Sequence, residues 1–513
     1  MSQTRTQLLS RITAFASGVY TEYALGLIAG IMVARTLGPE MFGVFSLVIW
    51  YARFARGLIN SGVAIGATRF VAQCRARNEI GQARAVVAKL AKVQWLKILA
   101  VVLIFGAVLA FRPETLPDPV LTHVSSVVLW AMLVAIAART NYMFKVAVAK
   151  GDNDFRSVSI IAIIGAPLNL ILVAFGALTQ QGVNYFIATF VASGLVFFIA
   201  STWRTWNLTY GPRDAQIAPE TSSALSKHLR YLTWSGMIGF LVSAGVEVAF
   251  LAYYATPQEV GFFRLAMQTA AAVTLLIPGI FGGILLPLVA QAAANSTKDA
   301  AEQFAKSTCY SWILVAPLLV YVAVYAVPVI ELVYGSEFGT AGWVLGFTIL
   351  GAGLRNVGPA AQAFLLSINV QRLLLVATVV GVVLKLTLAW LLVKRWGLSG
   401  AIASYLTLEI GFVVFKISLA IHFGGVSPPW SRMFRTLVAT VPGLLLGLIW
   451  FATGLPNWTA IIFGCLSMTA YVLTTLWCGT WTREDISYMN QLSERIPLAG
   501  SWMQRLFHTA RTA

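Results

Sequence analysis

Arg53 and Arg56 stand three residues apart in "FSLVIWYARFARGLINSGVAIG", residues 45–66, a stretch with no other charge. That spacing puts both guanidiniums on one face of a helix. Such a pair can bind phosphate or carboxylate through forked hydrogen bonds, or it can pair with an acidic side chain on a neighbouring helix. Other chemistry lacks its usual motifs. The chain has no GxxxxGK[ST] phosphate loop, no HExxH, no nucleophile elbow and no paired CxxC, so neither an enzyme nor a cofactor is expected. The four cysteines (Cys74, Cys309, Cys465, Cys478) and four histidines (His123, His228, His422, His508) are scattered. No metal site and no disulfide framework is expected from such spacing.

The residues around the arginines show where this chemistry would take place. Of 513 residues, 58% are hydrophobic and only 11% are charged, whereas a soluble domain carries about a quarter of its residues as charges. Most of the chain therefore faces lipid or other helices. Apolar windows of about 20 residues, the length of one bilayer crossing, recur about fourteen times. They lie near 12–34, 42–65, 91–111, 121–140, 157–178, 182–203, 231–254, 260–288, 308–332, 341–366, 372–393, 398–421, 435–454 and 458–479. The first is too long for a signal-peptide core and is expected to stay as a helix. An all-α polytopic membrane protein follows, with short connections and no soluble insertion.

The net charge of +17 fits the cytoplasmic excess of Lys and Arg that orients membrane helices, rather than nucleic-acid binding. The loop after the second span holds Arg69, Arg75, Arg77, Arg84, Lys89, Lys92 and Lys97. The loop after the fourth holds Arg139, Lys145, Lys150 and Arg156, and that after the sixth Arg204, Arg213, Lys227 and Arg230. "TQQG" (179–182) and "GSEFGTAG" (335–342), on the other side, hold no cation. Both termini are thus expected in the cytoplasm. Lys394 and Arg395 break the alternation around the eleventh and twelfth spans. The tail 483–513, with Trp502, Leu506 and Phe507 among basic residues, reads as an interfacial segment.

A charge at the bilayer centre costs at least a few kcal/mol and normally faces a bundle interior or a wet cavity. Glu22, Arg53 and Arg56 fall deep in spans of the first half, and Arg355, Lys385 and Glu409 deep in the second. Glu247, Arg264 and Lys416 lie nearer the surfaces. Deep cations outnumber deep anions, so full pairing leaves positive charge for an anionic ligand. The structural alternative pairs Glu22 with Arg53 or Arg56, and Glu409 with Lys385, and locks helices together. "GAPLN" (165–169) and "PGIFGGILLP" (278–287) read as hinges, or as the Gly and Pro that membrane helices commonly tolerate.

The chain also repeats itself. "LGPEMFGVFSL" (37–47) and "ATPQEVGFFRL" (255–265) share Pro39/Pro257, Gly43/Gly261, Phe45/Phe263 and Leu47/Leu265 at a spacing of 218. "VAQ" at 71–73 recurs at 289–291. Asn153/Asn369 and Arg156/Arg372 follow at 216, then Gly182/Gly397 and Ala188/Ala403. Two parallel six-span repeats are expected, at 1–215 and 216–430, with two extra spans at 431–482. Such repeats enclose a substrate site and rock against each other.

"ARTLGPEMFGVFSL" (34–47), "RFVAQCRARNE" (69–79), "AKGDNDFR" (149–156) and "GLSGAIASY" (397–405) resemble the polysaccharide transporter family. These are the Wzx-type lipid-linked oligosaccharide flippases of the multidrug/oligosaccharidyl-lipid/polysaccharide exporter superfamily. The resemblance implies two lobes around a cationic central cavity in the cell inner membrane. It implies transfer of an undecaprenyl-diphosphate-linked oligosaccharide to the periplasmic leaflet for exopolysaccharide or O-antigen (lipopolysaccharide) assembly, with a polysaccharide polymerase and glycosyltransferases as partners. On that reading Arg53, Arg56, Arg355, Lys385 and Arg264 are substrate-binding candidates, and Glu22 and Glu247 ion-coupling candidates. Alternatives are a peptidoglycan-precursor flippase, a drug/ion antiporter, or a non-transporting scaffold for polysaccharide assembly. The alternating loops make the topology testable. Cysteines placed at Gln181 and Ser336 should react with an impermeant thiol reagent outside spheroplasts, and those at Asn78 and Asp152 only after the membrane is opened. External labelling at Asn78 overturns the orientation.

Overall fold

The computed structural model describes residues 2–111, 116–210, 219–243, 245–274 and 296–482, with single positions such as 289 and 485. Its described residues form helices, loops and turns without a strand. In chain order the helices are α1 (Ser2–Asn60), α2 (Val63–Ala76), α3 (Ile80–Phe111), α4 (Asp118–His123), α5 (Ser126–Gly151), α6 (Phe155–Leu178), α7 (Val183–Arg204) and α8 (Trp206–Tyr210). There follow α9 (Pro219–Ser243), α10 (Glu247–Tyr254), α11 (Pro257–Thr274), α12 (Thr297–Tyr334), α13 (Gly339–Arg355) and α14 (Pro359–Ser367). The last are α15 (Gln371–Gly424), α16 (Trp430–Val438), α17 (Val441–Thr453) and α18 (Thr459–Trp477). Among the described residues, nine helical segments are long and apolar enough to cross a membrane. The chain is a multi-pass membrane protein.

Two of these segments contain breaks where adjoining spans are expected to meet. Gly38 (φ 68°, ψ 174°) divides α1 just before Pro39, and Gly397 (φ 52°, ψ −126°) divides α15. Both conformations are open to glycine and strained for other residues. Pro39 then suits the first turn of the next helix, where its missing N–H costs nothing. The expected second span, 42–65, is itself interrupted between Asn60 and Val63, and the expected tenth, 341–366, between Arg355 and Pro359. "PGIFGGILLP" and the tail 483–513, save Asp485, lie outside the described residues.

Several matched residues of the repeat occupy special backbone positions. Asn153 and Asn369 both take a left-handed conformation, with φ of 59° and 63°, which asparagine tolerates better than most side chains. Each ends a helix with the same hydrogen bonds. Asp154 N–H reaches Ala149 O at 2.9 Å, and Val370 N–H reaches Leu365 O at 3.0 Å. Around Asn153 each residue of "GDND" has a structural task. A methyl group on Gly151 would stand 2.9 Å from the Ala67 and Thr68 carbonyl oxygens. Asp152 pairs with Arg75 of α2, and Asp154 caps α6 by accepting from Ser157 N–H at 3.0 Å.

The chain divides into two compact units, Met1–Gly261 and Phe262–Ala513. In the first, α1 packs along α6, α5 along α7, and α2 against α3 and α5. Phe70, Val71, Leu90, Phe144 and Leu225 close a core around α2. Also within this unit, the two "Pro-x-x-x-Gly" segments of the repeat meet reciprocally. A methyl group on Gly43 would overlap the Pro257 carbonyl oxygen, and one on Gly261 would overlap the Pro39 carbonyl oxygen. Glycine is required because a carbonyl, unlike a side chain, cannot turn aside.

In the second unit α12 packs along α13, and the α17–α18 pair docks on α12. Tyr321 donates to Thr440 O at 3.2 Å and Tyr471 to Ile313 O at 2.6 Å. Below this pair, Arg432 of α16 meets Asp485 at 2.8 Å and Thr480 O at 2.9 Å, while Tyr310 donates to the other Asp485 oxygen. Burial raises the Asp485 pKa, but the hydrogen bonds from Tyr310 and Thr482 and the Arg432 charge outweigh it and hold the group below its ordinary 3.8.

Two outcomes are expected in thermal unfolding of the detergent-solubilised protein. Gly43→Ala should cost about 1–3 kcal/mol through overpacking, whereas Gly26→Ala, with nothing within 4 Å, should be neutral or mildly stabilising; equal stability of the two variants refutes the close contact. Asp485→Asn should cost about 2 kcal/mol at neutral pH, the usual worth of hydrogen bonds to a charged group. Because the folded pKa is depressed, this stabilisation is present above 3.8 and is lost as pH falls further. The two proteins should then converge, and a difference that persists in acid contradicts this account.

Candidate functional site

The arginines that open the question lie on the last turns of α1, upstream of its end at Asn60. Arg53 is exposed on the first unit and Arg56 is half-buried. Arg56 lies in the electrostatic field of Glu22, from the first half of α1, and of Tyr142 on α5. The Tyr142 hydroxyl donates to the Glu22 carboxylate at 3.4 and 3.5 Å. Glu22 also feels Arg139 and Lys150 of α5. The field of this one carboxylate thus reaches at least two guanidiniums, Arg56 and Arg139. One carboxylate among these cations leaves the local charge net positive, which suits an anion.

Arg139 is the residue that sequence reasoning misplaced. It reads as a cation of the loop after the fourth span, yet α5 runs on to Gly151 and carries Arg139 and Tyr142 inside the bundle. The guanidinium lies 3.6 Å from the centre of the Phe190 ring. It donates to Phe190 O at 3.1 Å and to Ser193 Oγ at 2.7 Å. Gly194 makes room for it, since a methyl group there would lie 3.1 Å from Arg139 Cγ. Lys145, another expected loop cation, is 2% exposed; it bonds Thr202 and lies 4.6 Å from the Phe198 ring centre. The usable signal was the "GDN" stop, which sets where the helix ends; hydropathy alone ended the span too early.

The second unit has its own charged cluster. Arg355, at the end of α13, donates to Tyr405 Oη at 2.8 Å and lies 3.5 Å from Glu409 Oε2. Glu409 acts electrostatically on Lys416, whose Nζ donates to Gln362 Oε1 at 3.1 Å. Glu409 therefore forms an ion pair with Arg355. Lys385 is 3% exposed within α15. Arg264 is half-buried on α11, and Glu247 is fully buried in the first turn of α10. Each unit thus combines a glutamate, a tyrosine and arginine: Glu22, Tyr142, Arg56 and Arg139 in one, Glu409, Tyr405 and Arg355 in the other. Among the described residues, no cluster of three or more His, Cys, Asp or Glu could hold a metal ion.

Comparison with known proteins agrees with this architecture. The protein is 26% identical over 264 residues to the probable low-salt glycan biosynthesis flippase Agl15 of Haloferax volcanii. That match covers 50% of this chain and 55% of the relative, so it spans about half the length of that protein. Among solved structures, the lipid II flippase MurJ in an inward closed conformation superposes with a TM-score of 0.65 at 12% identity, over 90% of this chain and 97% of its own. An inward-facing multidrug resistance MATE family transporter of the MOP superfamily also reaches 0.65, at 13% identity, over 79% of this chain and 96% of its own. These likenesses establish the MurJ- and MATE-like transporter fold. The model of the polysaccharide biosynthesis protein family matches residues 32–343, well over half of the chain, and the protein belongs to that family.

Proposed function

We propose that the protein is a flippase for an anionic, undecaprenyl-diphosphate-linked oligosaccharide, moving it from the cytoplasmic to the periplasmic leaflet of the inner membrane. The observation that carries this reading is the surplus of guanidinium over carboxylate around Glu22, with Arg53 exposed two turns before the α1 end. A diphosphate supplies the missing negative charge, and the guanidinium fork suits it. The named flippase relative and the family match support a glycan-bearing cargo. A carrier of cationic drugs needs the opposite polarity.

The repeats at 1–215 and 216–430 serve as lobes that rock about the site, while the lipid tail of the cargo stays in the bilayer. Arg355, Lys385 and Arg264 provide cationic contacts from the second repeat. Glu22 is the coupling group in this reading, with Glu247 as a second. Hydrogen-bonded by Tyr142 and in the field of Arg56 and Arg139, Glu22 trades its proton or counter-ion as the anionic head arrives. Both termini remain in the cytoplasm. A polymerase and glycosyltransferases act on the same lipid-linked chain after and before transfer.

Export of lipid-linked oligosaccharide, measured beside the amount of inserted protein, tests the arginines. Arg53→Ala, Arg56→Ala and Arg139→Ala should each leave inserted protein and lower export by about tenfold or more, the worth of a charge-assisted hydrogen bond. Lysine at the same positions should restore part of the activity, because it keeps charge but loses the fork. If these residues only lock helices, each alanine variant lowers inserted protein and Glu22→Ala partly rescues it. Normal export by the Arg53→Ala, Arg56→Ala double variant would falsify the role given to those two residues.

A further inference from the structure

The break in the second span sits one turn beyond Arg56. Helix α1 ends at Asn60, Gly62 takes φ 78°, and α2 resumes at Val63. A helix end leaves carbonyls without an intrahelical donor, and in a membrane each must find another inside the protein. The Gly57 carbonyl accepts from Ser61 N–H at 3.2 Å and Ser61 Oγ at 2.5 Å. The Ser61 carbonyl is taken by Lys97 of α3, whose Nζ donates at 2.9 Å. The same ammonium donates to Thr233 Oγ1 of α9 at 3.0 Å, and Thr233 donates in turn to Ser61 O at 3.1 Å.

These contacts make a tight three-way junction of α3, α9 and the break. A methyl group on Gly62 would come 3.0 Å from Thr233 N, and one on Gly236 would come 3.1 Å from Ser61 Cβ. The junction also reaches the charged cluster. Asn60, one turn from Arg56, accepts from Gln94 Nε2 at 3.0 Å, and Gln94 Nε2 also faces the Thr140 carbonyl at 3.3 Å, next to Arg139. Lys97 reads in the sequence as one more basic loop residue. In the structure its charge is committed to the negative end of α1, where a cation is favourable.

We propose that Lys97 is a positioning residue for the arginine site. Its ammonium replaces the missing helical hydrogen bond at the break and fixes the direction in which the last turns of α1 present Arg53 and Arg56. The inference deepens the flippase reading, but its first test does not depend on transport.

In full-length protein with the four native cysteines replaced, Arg53→Cys is labelled in liposomes by a water-soluble thiol reagent, with a cysteine at exposed Gln181 as reference. Lys97→Met should slow labelling at position 53 by about fivefold, the population change expected when a helix loses its C-terminal cation. Lys97→Arg should stay near the parent rate, and position 181 should not respond. An equal or faster rate at position 53 in Lys97→Met overturns the inference. If Lys97→Met does not fold, Thr233→Val takes its place. It removes one partner of the ammonium and should slow labelling about twofold; no change again overturns the inference. In the parent with its arginines, Lys97→Met should also lower export about fivefold and Lys97→Arg should restore it. If labelling responds while neither Lys97→Met nor the Arg53→Ala, Arg56→Ala pair affects export, the positioning role stands and the flippase reading fails.

Discussion

In hydrocarbon every backbone N–H and C=O must be satisfied by the protein itself, because no water competes for it. The structure depends on that requirement from end to end. It accounts for a fold built from helices and for the partners that stand at departures from helix. At the break after Asn60 the partners are Ser61 Oγ, Lys97 and Thr233. Near Thr440, between α16 and α17, the carbonyl that accepts from Leu444 N–H also accepts from Tyr321.

The same low dielectric governs the charges. An isolated guanidinium inside the bundle is costly, so one placed there needs partners that spread its charge. Arg139 uses an aromatic face, a carbonyl and a hydroxyl rather than a dedicated carboxylate. Arg355, which is exposed, uses Glu409 and a tyrosine hydroxyl. These two solutions have different consequences. A cation solvated by neutral dipoles keeps its full charge for an incoming anion, whereas a cation beside a carboxylate has much of that charge cancelled.

The internal repeat shows which residues such a fold cannot exchange freely. Gly43 and Gly261 meet each other's partner proline carbonyls, and Asn153 and Asn369 hold left-handed turns. Gly397 breaks α15 with a positive φ. All five constrain the backbone. Apolar side chains between them can be replaced by others of similar size without altering the path of the chain. Two halves can consequently differ at most positions and still keep these few in step.

By itself the sequence determined the all-helical membrane class, because that follows from long apolar runs, and it displayed the series of matched Gly, Asn and Pro residues, which make turns at low cost. It also singled out Arg53, Arg56 and Glu22, since a charge inside an apolar run is visible without coordinates. It did not reveal Arg139, Lys145 or Lys97, which look like ordinary basic loop residues until the helices that carry them are seen to extend further. Nor did it show that Glu409 pairs with Arg355, or that a lysine of α3 caps α1. Those facts were decided by tertiary structure. A charge's role depends on which dipoles and charges stand within a few ångströms of it, and residues far apart in the chain supply them.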